Sequence, residues 1–372
     1  MRNKRLKALL LSAYDAGSHK HWRQGIELGL SEIDWTVLTL PARYFSWRIR
    51  GNPISFIERY HDELHQEYDF IFATSIVDLA TLKGLIPSLA ITPALVYFHE
   101  NQFEYPKSKH QKSLLEAQMV NLYSAMAADM IVFNSDYNRR SFFDGCHRLM
   151  KKLPDFTLHD LPSRLQHKSS VVPVPVADHL FEASKHRSLK KGAIKILWNH
   201  RWEYDKGPDK LLLFLSELEK SQIEFEVNIV GEQFRQMPPE FEVINTKFSK
   251  QIKAFGYVSN IDDYVKLLSR CDIVLSTAIH EFQGLAVTEA VAAGCIPLVP
   301  DRLSYVEYID KLYRYQSDLS NPENEAKAAV VTLLEINSRD LCSLELREGF
   351  KRFSWSELIN VYRELIGRLV RK

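Results

Sequence analysis

The sequence predicts an α/β protein built of two parallel-sheet domains in tandem, and three observations predict it. Short apolar runs of strand length alternate with stretches long enough for helices, which is the rhythm of a parallel sheet covered on both faces. That rhythm occurs twice. Between about Leu153 and Lys191 it is interrupted by a basic stretch with little periodicity that carries Pro154, Pro162, Pro173 and Pro175, the composition of a domain crossover. At 372 residues the chain also exceeds what one ordinary core holds. Two Rossmann-like domains are therefore expected over residues 1–178 and 190–355, with an amphipathic helix over 356–372 packing back on the first.

Taken in order, "LKALLLSAY", "WTVLTLP", "YDFIFATS", "ALVYFHEN" and "DMIVFNS" read as the strands of the first domain. The opening "MRNKRLKALLLSAYDAG" imitates a signal peptide, with basic residues ahead of an apolar stretch. It reaches Asp15 without a small-residue cleavage site, so a first strand is the better reading. In the second domain "IKILWNHR", "FEVNIVGE", "IKAFGYV", "DIVLSTA" and "CIPLVP" read as strands, and the tail after "FSW" as the final helix. No run approaches the roughly eighteen apolar residues of a membrane span.

Apolar and charged fractions are those of a soluble globular protein. Cys146, Cys271, Cys295 and Cys342 show neither paired spacing nor a CxxC, which speaks against disulfides and zinc and for a reducing cytoplasm. A net charge of +1 argues against a uniformly basic nucleic-acid coat but leaves room for local patches. Such patches exist at Arg2, Lys4, Arg5 and Lys7, at Lys107, Lys109 and Lys112, at Arg148, Lys151 and Lys152, and at Lys185, Arg187, Lys190 and Lys191. Any one of them reads as solvated surface. In "RYFSWRIR", Arg43, Arg48 and Arg50 are interleaved with Tyr44, Phe45 and Trp47. This mixture suits stacking on unpaired bases while cations meet phosphates, and equally suits an aromatic segment packed under a loop.

In open parallel sheets, ligands bind beyond the carboxyl ends of the strands. Gly17, Ser18 and His19 follow the first strand, His99, Glu100 and Asn101 the fourth, and Asn134 and Ser135 the fifth. In the second half Asn199, His200 and Arg201 follow one strand, with Lys206 and Gly207 just beyond, and Ser276, Thr277, His280 and Glu281 follow another. Arg201 and Lys206, beside Gly207 and a helix start at Pro208, make a candidate anion site. Gly284 permits close backbone approach, and a helix from about Leu285 offers its positive end. Glu289 is placed to reach a ribose diol, and Glu281 to accept from sugar hydroxyls. A structural ion pair is the competing role for either glutamate.

The E-x7-E of Glu281 and Glu289, with Arg201 and Lys206, resembles the retaining GT-B glycosyltransferases of the glycogen synthase and family-4 type. The resemblance implies two facing Rossmann domains with an interdomain cleft. It further implies that the Arg/Lys pair neutralises the diphosphate, that Glu289 takes the ribose and that Glu281 contacts the donor sugar. His99 in "YFHEN" matches the family's histidine near the anomeric centre, and Gly17 the glycine of its first loop. No D-x-D triplet occurs, so metal-bound diphosphate is not expected. A narrower resemblance runs through "AYDAGSHK", "LPARYFSWRIRG", "YFHENQFEYP", "WNHRWEYDKGPD", "STAIHEFQGLAVTEAVAAG" and "FSW", and covers nearly the whole length. Together these are similar to the tRNA-queuosine α-mannosyltransferase family. That implies transfer of mannose from GDP-mannose, with retained configuration, to the cyclopentenediol of queuosine in the anticodon loop of tRNA-Asp. The absence of a long polar insertion between the domains sets the chain apart from the pattern expected of animal members.

His99, Arg201, Lys206 and Glu281 are thus the candidates for the reaction. Gly17, Ser18, Asn199, Arg201, Lys206, Gly284, Leu285 and Glu289 are the candidates for holding the nucleotide-sugar. Neither metal nor cofactor is expected; GDP-mannose and tRNA are the partners. Front-face attack is the expected mechanism, because no carboxylate nucleophile is offered of the kind retaining glycosidases use. Lys206→Ala is expected to fold normally and lose turnover. A family-4-like enzyme with a lipid-linked or polysaccharide acceptor, and a non-catalytic sugar-nucleotide-binding protein, are the alternatives. An NAD-type dehydrogenase is disfavoured because "DAGSHK" lacks the G-x-G-x-x-G fingerprint.

Overall fold

The computed structural model describes residues 5–104, 115–182, 192–234, 236–339 and 343–371. The basic clusters at Lys107 to Lys112 and Lys185 to Lys191, with Arg2, Lys4 and Cys342, lie outside them. Among the described residues two six-stranded sheets form, every pairing parallel.

The first sheet holds β1 (Lys7–Ser12), β2 (Asp34–Thr39), β3 (Phe70–Thr74), β4 (Ala94–Phe98), β5 (Met130–Phe133) and β6 (Ser169–Val171), in the order β2-β1-β3-β4-β5-β6. β3 and β4 are buried at every position, as strands covered by helices on both faces must be. β6 falls inside the stretch that the sequence marks as a crossover. Its Ser169, Ser170 and Val171 pair only with β5, so an edge position frees them from the apolar requirement that made the other strands readable.

The second sheet holds β7 (Ile194–Trp198), β8 (Phe225–Val230), β9 (Ile252–Gly256), β10 (Ile273–Leu275), β11 (Ile296–Pro300) and β12 (Arg314–Tyr315), in the order β12-β11-β10-β7-β8-β9. β12 is two residues long and leaves no pattern to read. The chain divides into Met1–Pro175 with Trp355–Lys372, and Val176–Ser354.

The last helix, Trp355–Leu369, rejoins the first unit through an apolar stripe of Leu358, Tyr362, Leu365, Ile366 and Leu369. It packs on the helix Gly17–Gly29, where Trp355 lies over Gly25 and Ile359 over Gly29 so closely that a Cβ at either glycine would collide. Trp22 Nε1 donates to the Tyr362 hydroxyl at 3.0 Å, and that hydroxyl donates to the Pro173 carbonyl at 3.0 Å.

Each sheet reverses its winding once. In the first the reversal lies between β1 and β3, in the second between β7 and β10. Loops leaving the carboxyl ends at such a point diverge to opposite sides and open a crevice where ligands bind. No described helix is long and apolar enough to cross a membrane.

Candidate functional site

The loops after β7 and β10, on either side of the reversal in the second sheet, are locked backbone to backbone. Gly207 caps the helix Pro208–Lys220 with φ +67°, and a Cβ there would run into the Thr277 carbonyl. Thr277 Oγ1 donates to the Lys206 carbonyl at 2.8 Å and accepts from Trp198 Nε1 at 2.9 Å, while the Ile279 amide donates to the Asp205 carbonyl at 2.8 Å. These bonds bring residues far apart in sequence into one polar knot. Lys206 Nζ lies 3.0 Å from the His280 carbonyl, 3.1 Å from Glu281 Oε2 and 3.2 Å from Asp205 Oδ2.

Charge in the knot is set by this pairing. Burial disfavours the Lys206 ammonium, but Glu281 and Asp205 outweigh it and its pKa is raised. Burial likewise works against the Glu281 carboxylate, yet Lys206 and then His200 bring it down to about 2. Burial first, and Lys206 next, push both His200 and His280 down to about 4, so at neutral pH both imidazoles are neutral beside an intact ion pair. The structural ion pair that competed with a ligand role for Glu281 is therefore present. Arg201 is 42% exposed and 3.1 Å from Glu203 Oε2, near enough to Lys206 to oppose its charge.

The helix Leu285–Ala292 begins at Gly284, whose φ is +81° and where a Cβ would stand 2.6 Å from the Tyr305 ring and 2.7 Å from the Tyr308 hydroxyl. Among the described residues no side chain caps it, which leaves the first-turn amides of Leu285, Ala286 and Val287 as donors at its positive end. Glu289, one turn on, is partly exposed and accepts from the Tyr264 hydroxyl at 3.1 Å. Burial raises its carboxyl to about 7 against that hydrogen bond. Asn199 Nδ2 donates both to Tyr264 Oη, at 3.0 Å, and to the Ala286 carbonyl, at 2.9 Å. Tyr264 is the residue that sequence reasoning missed. In "IDDYVKLL" it occupies the half-buried face of a short amphipathic helix, and no motif marks it.

In the first unit, Gly17 and Ser18 open the helix Gly17–Gly29 on the surface, and a Cβ at Gly17 would meet no atom within 4 Å. One position on, the buried His19 stacks on His99, ring centroids 4.1 Å apart, and its Nε2 lies 3.1 Å from Glu100 Oε2. His99 Nε2 is buried with no hydrogen-bond partner among the described residues, and burial, then His19, hold its pKa well below the ordinary value. Asn101, Asn134 and Ser135 serve the fold. Asn101 is bonded to Asn138 and Ser141, Asn134 holds the His99 carbonyl at 2.8 Å, and Ser135 caps the helix Asp136–Lys152.

Residues 7–176 match the family described as tRNA-queuosine alpha-mannosyltransferase N-terminal, and residues 181–348 match Glycosyl transferases group 1. A tRNA-queuosine alpha-mannosyltransferase of Drosophila melanogaster is 32% identical over 370 residues, 97% of this chain and 96% of that protein. The chain belongs to the tRNA-queuosine alpha-mannosyltransferase family.

It is accordingly a glycosyltransferase, and its two parallel sheets are those of the GT-B class. Sucrose-phosphate synthase from Thermosynechococcus elongatus shares the fold at TM-score 0.69, covering 98% of this chain and 100% of its own at 13% identity. The Anabaena HepE protein in complex with UDP shares it at TM-score 0.67, with the same coverage and identity. Because the Drosophila relative is matched over 96% of its length, the lack of a long insertion does not set this chain apart from that animal relative.

Within this member of the family, the candidates Asn199, Arg201, Lys206, Glu281, Gly284, Leu285 and Glu289 all gather at the carboxyl ends of β7 and β10. Gly17, Ser18 and His99 gather at the corresponding ends of β1 and β4 in the first unit. No group of three or more His, Cys, Asp or Glu suited to a metal occurs among the described residues. The "RYFSWRIR" segment divides. Tyr44 and Trp47 are exposed, with Trp47 lying across Gly51, and Arg43 sits over the Tyr44 ring at 5.6 Å. Arg48, by contrast, is buried against Ser55 at 3.0 Å, so it is no phosphate contact.

Proposed function

We propose that the protein transfers mannose from GDP-mannose to the cyclopentenediol of queuosine in tRNA-Asp, with retention at the anomeric carbon. One observation carries the reading. The Lys206–Glu281 pair stands beside an uncapped helix start in a group-1 glycosyltransferase domain, on a chain whose other half matches the queuosine family's N-terminal domain.

In this reading the bond from the anomeric carbon to the diphosphate oxygen breaks as an acceptor hydroxyl oxygen bonds to that carbon on the same face. The hydroxyl proton passes to the departing diphosphate. Growing negative charge is met by Arg201, by the amides at Leu285 to Val287 and by the field of Lys206, fixed donors that act before the charge develops. Lys206 has its hydrogen bonds committed to the His280 carbonyl and Glu281, so its first task is to hold the Glu281 carboxylate ionised for the sugar hydroxyls. Glu289 takes the ribose diol, with Asn199 behind it. Gly17 and Ser18 are assigned in this reading to the diphosphate, and His99 to the sugar near its anomeric centre. No metal is needed, because these groups supply the positive charge. Among the described residues Cys146, Cys271 and Cys295 are buried and in no disulfide, which favours a reducing cytoplasm as the place of reaction.

The test is incubation with labelled GDP-mannose and tRNA that contains or lacks queuosine. Label entering only the queuosine-containing tRNA is the expected result. Label in lipid or polysaccharide and none in RNA would replace the acceptor, and binding without consumption would make the protein a sugar-nucleotide binder.

A further inference from the structure

We infer that Tyr264 is a positioning residue that gives the donor site its preference for ribose over deoxyribose, by engaging one oxygen of Glu289 and turning the other to the diol. The inference rests on the reading of Glu289 as the ribose acceptor.

The direction of the hydrogen-bond chain is fixed by chemistry. The Ala286 carbonyl can only accept, so the group of Asn199 that faces it at 2.9 Å is the Nδ2 amide. The second proton of that amide goes to Tyr264 Oη at 3.0 Å. The Tyr264 oxygen therefore accepts from Asn199, and its own single proton is left for Glu289 Oε2, 3.1 Å away. Among the described residues the Tyr264 hydroxyl is the hydrogen-bond donor recorded for this carboxyl. An unrestrained carboxylate would lose rotamer freedom on gripping a diol, whereas one already held by a tyrosine has lost it beforehand.

The Tyr264 ring packs against the apolar cluster that includes Leu268, Cys271, Val287 and Cys295, and a phenylalanine would keep that packing. Tyr264→Phe thus isolates the hydroxyl. GDP, 2′-deoxy-GDP, UDP and 2′-deoxy-UDP are titrated calorimetrically into the wild-type chain and the variant. The expected result is that Tyr264→Phe weakens the preferred ribonucleotide by about three- to tenfold and its deoxy counterpart hardly at all. In turnover the donor KM should rise by the same factor with kcat held.

Equal loss for both nucleotides would show that Tyr264 only packs, and would overturn the inference while leaving the donor reading intact. A wild-type chain that binds ribo- and deoxyribonucleotides equally would overturn the role of Glu289 and this inference with it. Failure to bind any of the four would remove the donor site itself.

Discussion

Lys206 Nζ lies 3.1 Å from Glu281 Oε2, and the two residues are 75 positions apart in the chain. The pair ties the cation of one strand-end loop to the glutamate of the other, so the charge of the site and the closure of the two loops are one interaction.

Removing half of it should therefore do more than stop the chemistry. Lys206→Met or Lys206→Ala leaves Glu281 and Asp205 without their shared cation, and breaking one side of a buried pair costs about 3–5 kcal/mol. The expectation that Lys206→Ala folds normally is revised on this ground. Guanidinium unfolding should show a loss of about 3 kcal/mol for Lys206→Met, part of which the double variant Lys206→Met/Glu281→Gln regains, with turnover absent in both. An unchanged midpoint for the single variant would mean that the pair contributes nothing to the fold.

Acid stability is set by groups that titrate in opposite directions. Glu289 is raised from 4.5 to about 7 in the folded chain, so its contribution is complete below pH 4.5 and is lost as pH rises through 7. His200 and His280 are lowered from 6.5 to about 4, so each contributes stability that is complete above pH 6.5 and is lost as pH falls toward 4. Between pH 4.5 and 6.5 these two histidines, joined by the likewise lowered His99, oppose Glu289 and the likewise raised Glu203, and stability should climb with pH. Glu289→Gln removes its share of the opposing slope and should make the climb steeper, as read from unfolding midpoints at half-unit pH steps. A shallower climb would contradict the raised carboxyl.

Gly17→Ala separates room for a ligand from room for the fold. Its Cβ would meet nothing within 4 Å, and alanine is the better helix former, so the melting temperature should hold or rise slightly. Turnover should fall at least tenfold if the diphosphate approaches this backbone. Full activity in Gly17→Ala would take Gly17 out of the site.

The exposed Trp47 and Arg43 should fail differently. Trp47→Ala is expected to weaken tRNA binding by about 1–3 kcal/mol, the worth of one stacked base, without altering the salt dependence. Arg43→Ala should lower the slope of log affinity against log salt by about one. An acceptor affinity indifferent to salt in the wild type would point away from RNA.

Chelation should leave the reaction untouched. Transfer in excess EDTA is expected at the same rate as without it if, as proposed, Arg201, Lys206 and the amides at Leu285 carry the leaving-group charge. Loss of activity restored by Mg2+ would require a metal in the mechanism.

Much of this was legible in the chain. β3 and β4 are covered on both faces, and such strands write apolar runs that can be recognised without knowing their neighbours. Gly284, Leu285 and Glu289 form a local strand-to-helix signature whose spacing is conveyed by a single helix, and the structure starts that helix at Leu285. What tertiary structure alone decided are the properties that depend on partners. β6 is a strand because β5 lies beside it, and Arg48 is buried because of where its helix packs. Lys206 is the ion-pair partner of Glu281, and the Tyr264 hydroxyl is aimed at Glu289 because Asn199, 65 positions earlier, donates to it. Burial along one element repeats with that element's own period and so leaves a trace in sequence. A hydrogen bond or ion pair between distant loops repeats with nothing, and it exists only once the sheet has brought its strand ends together.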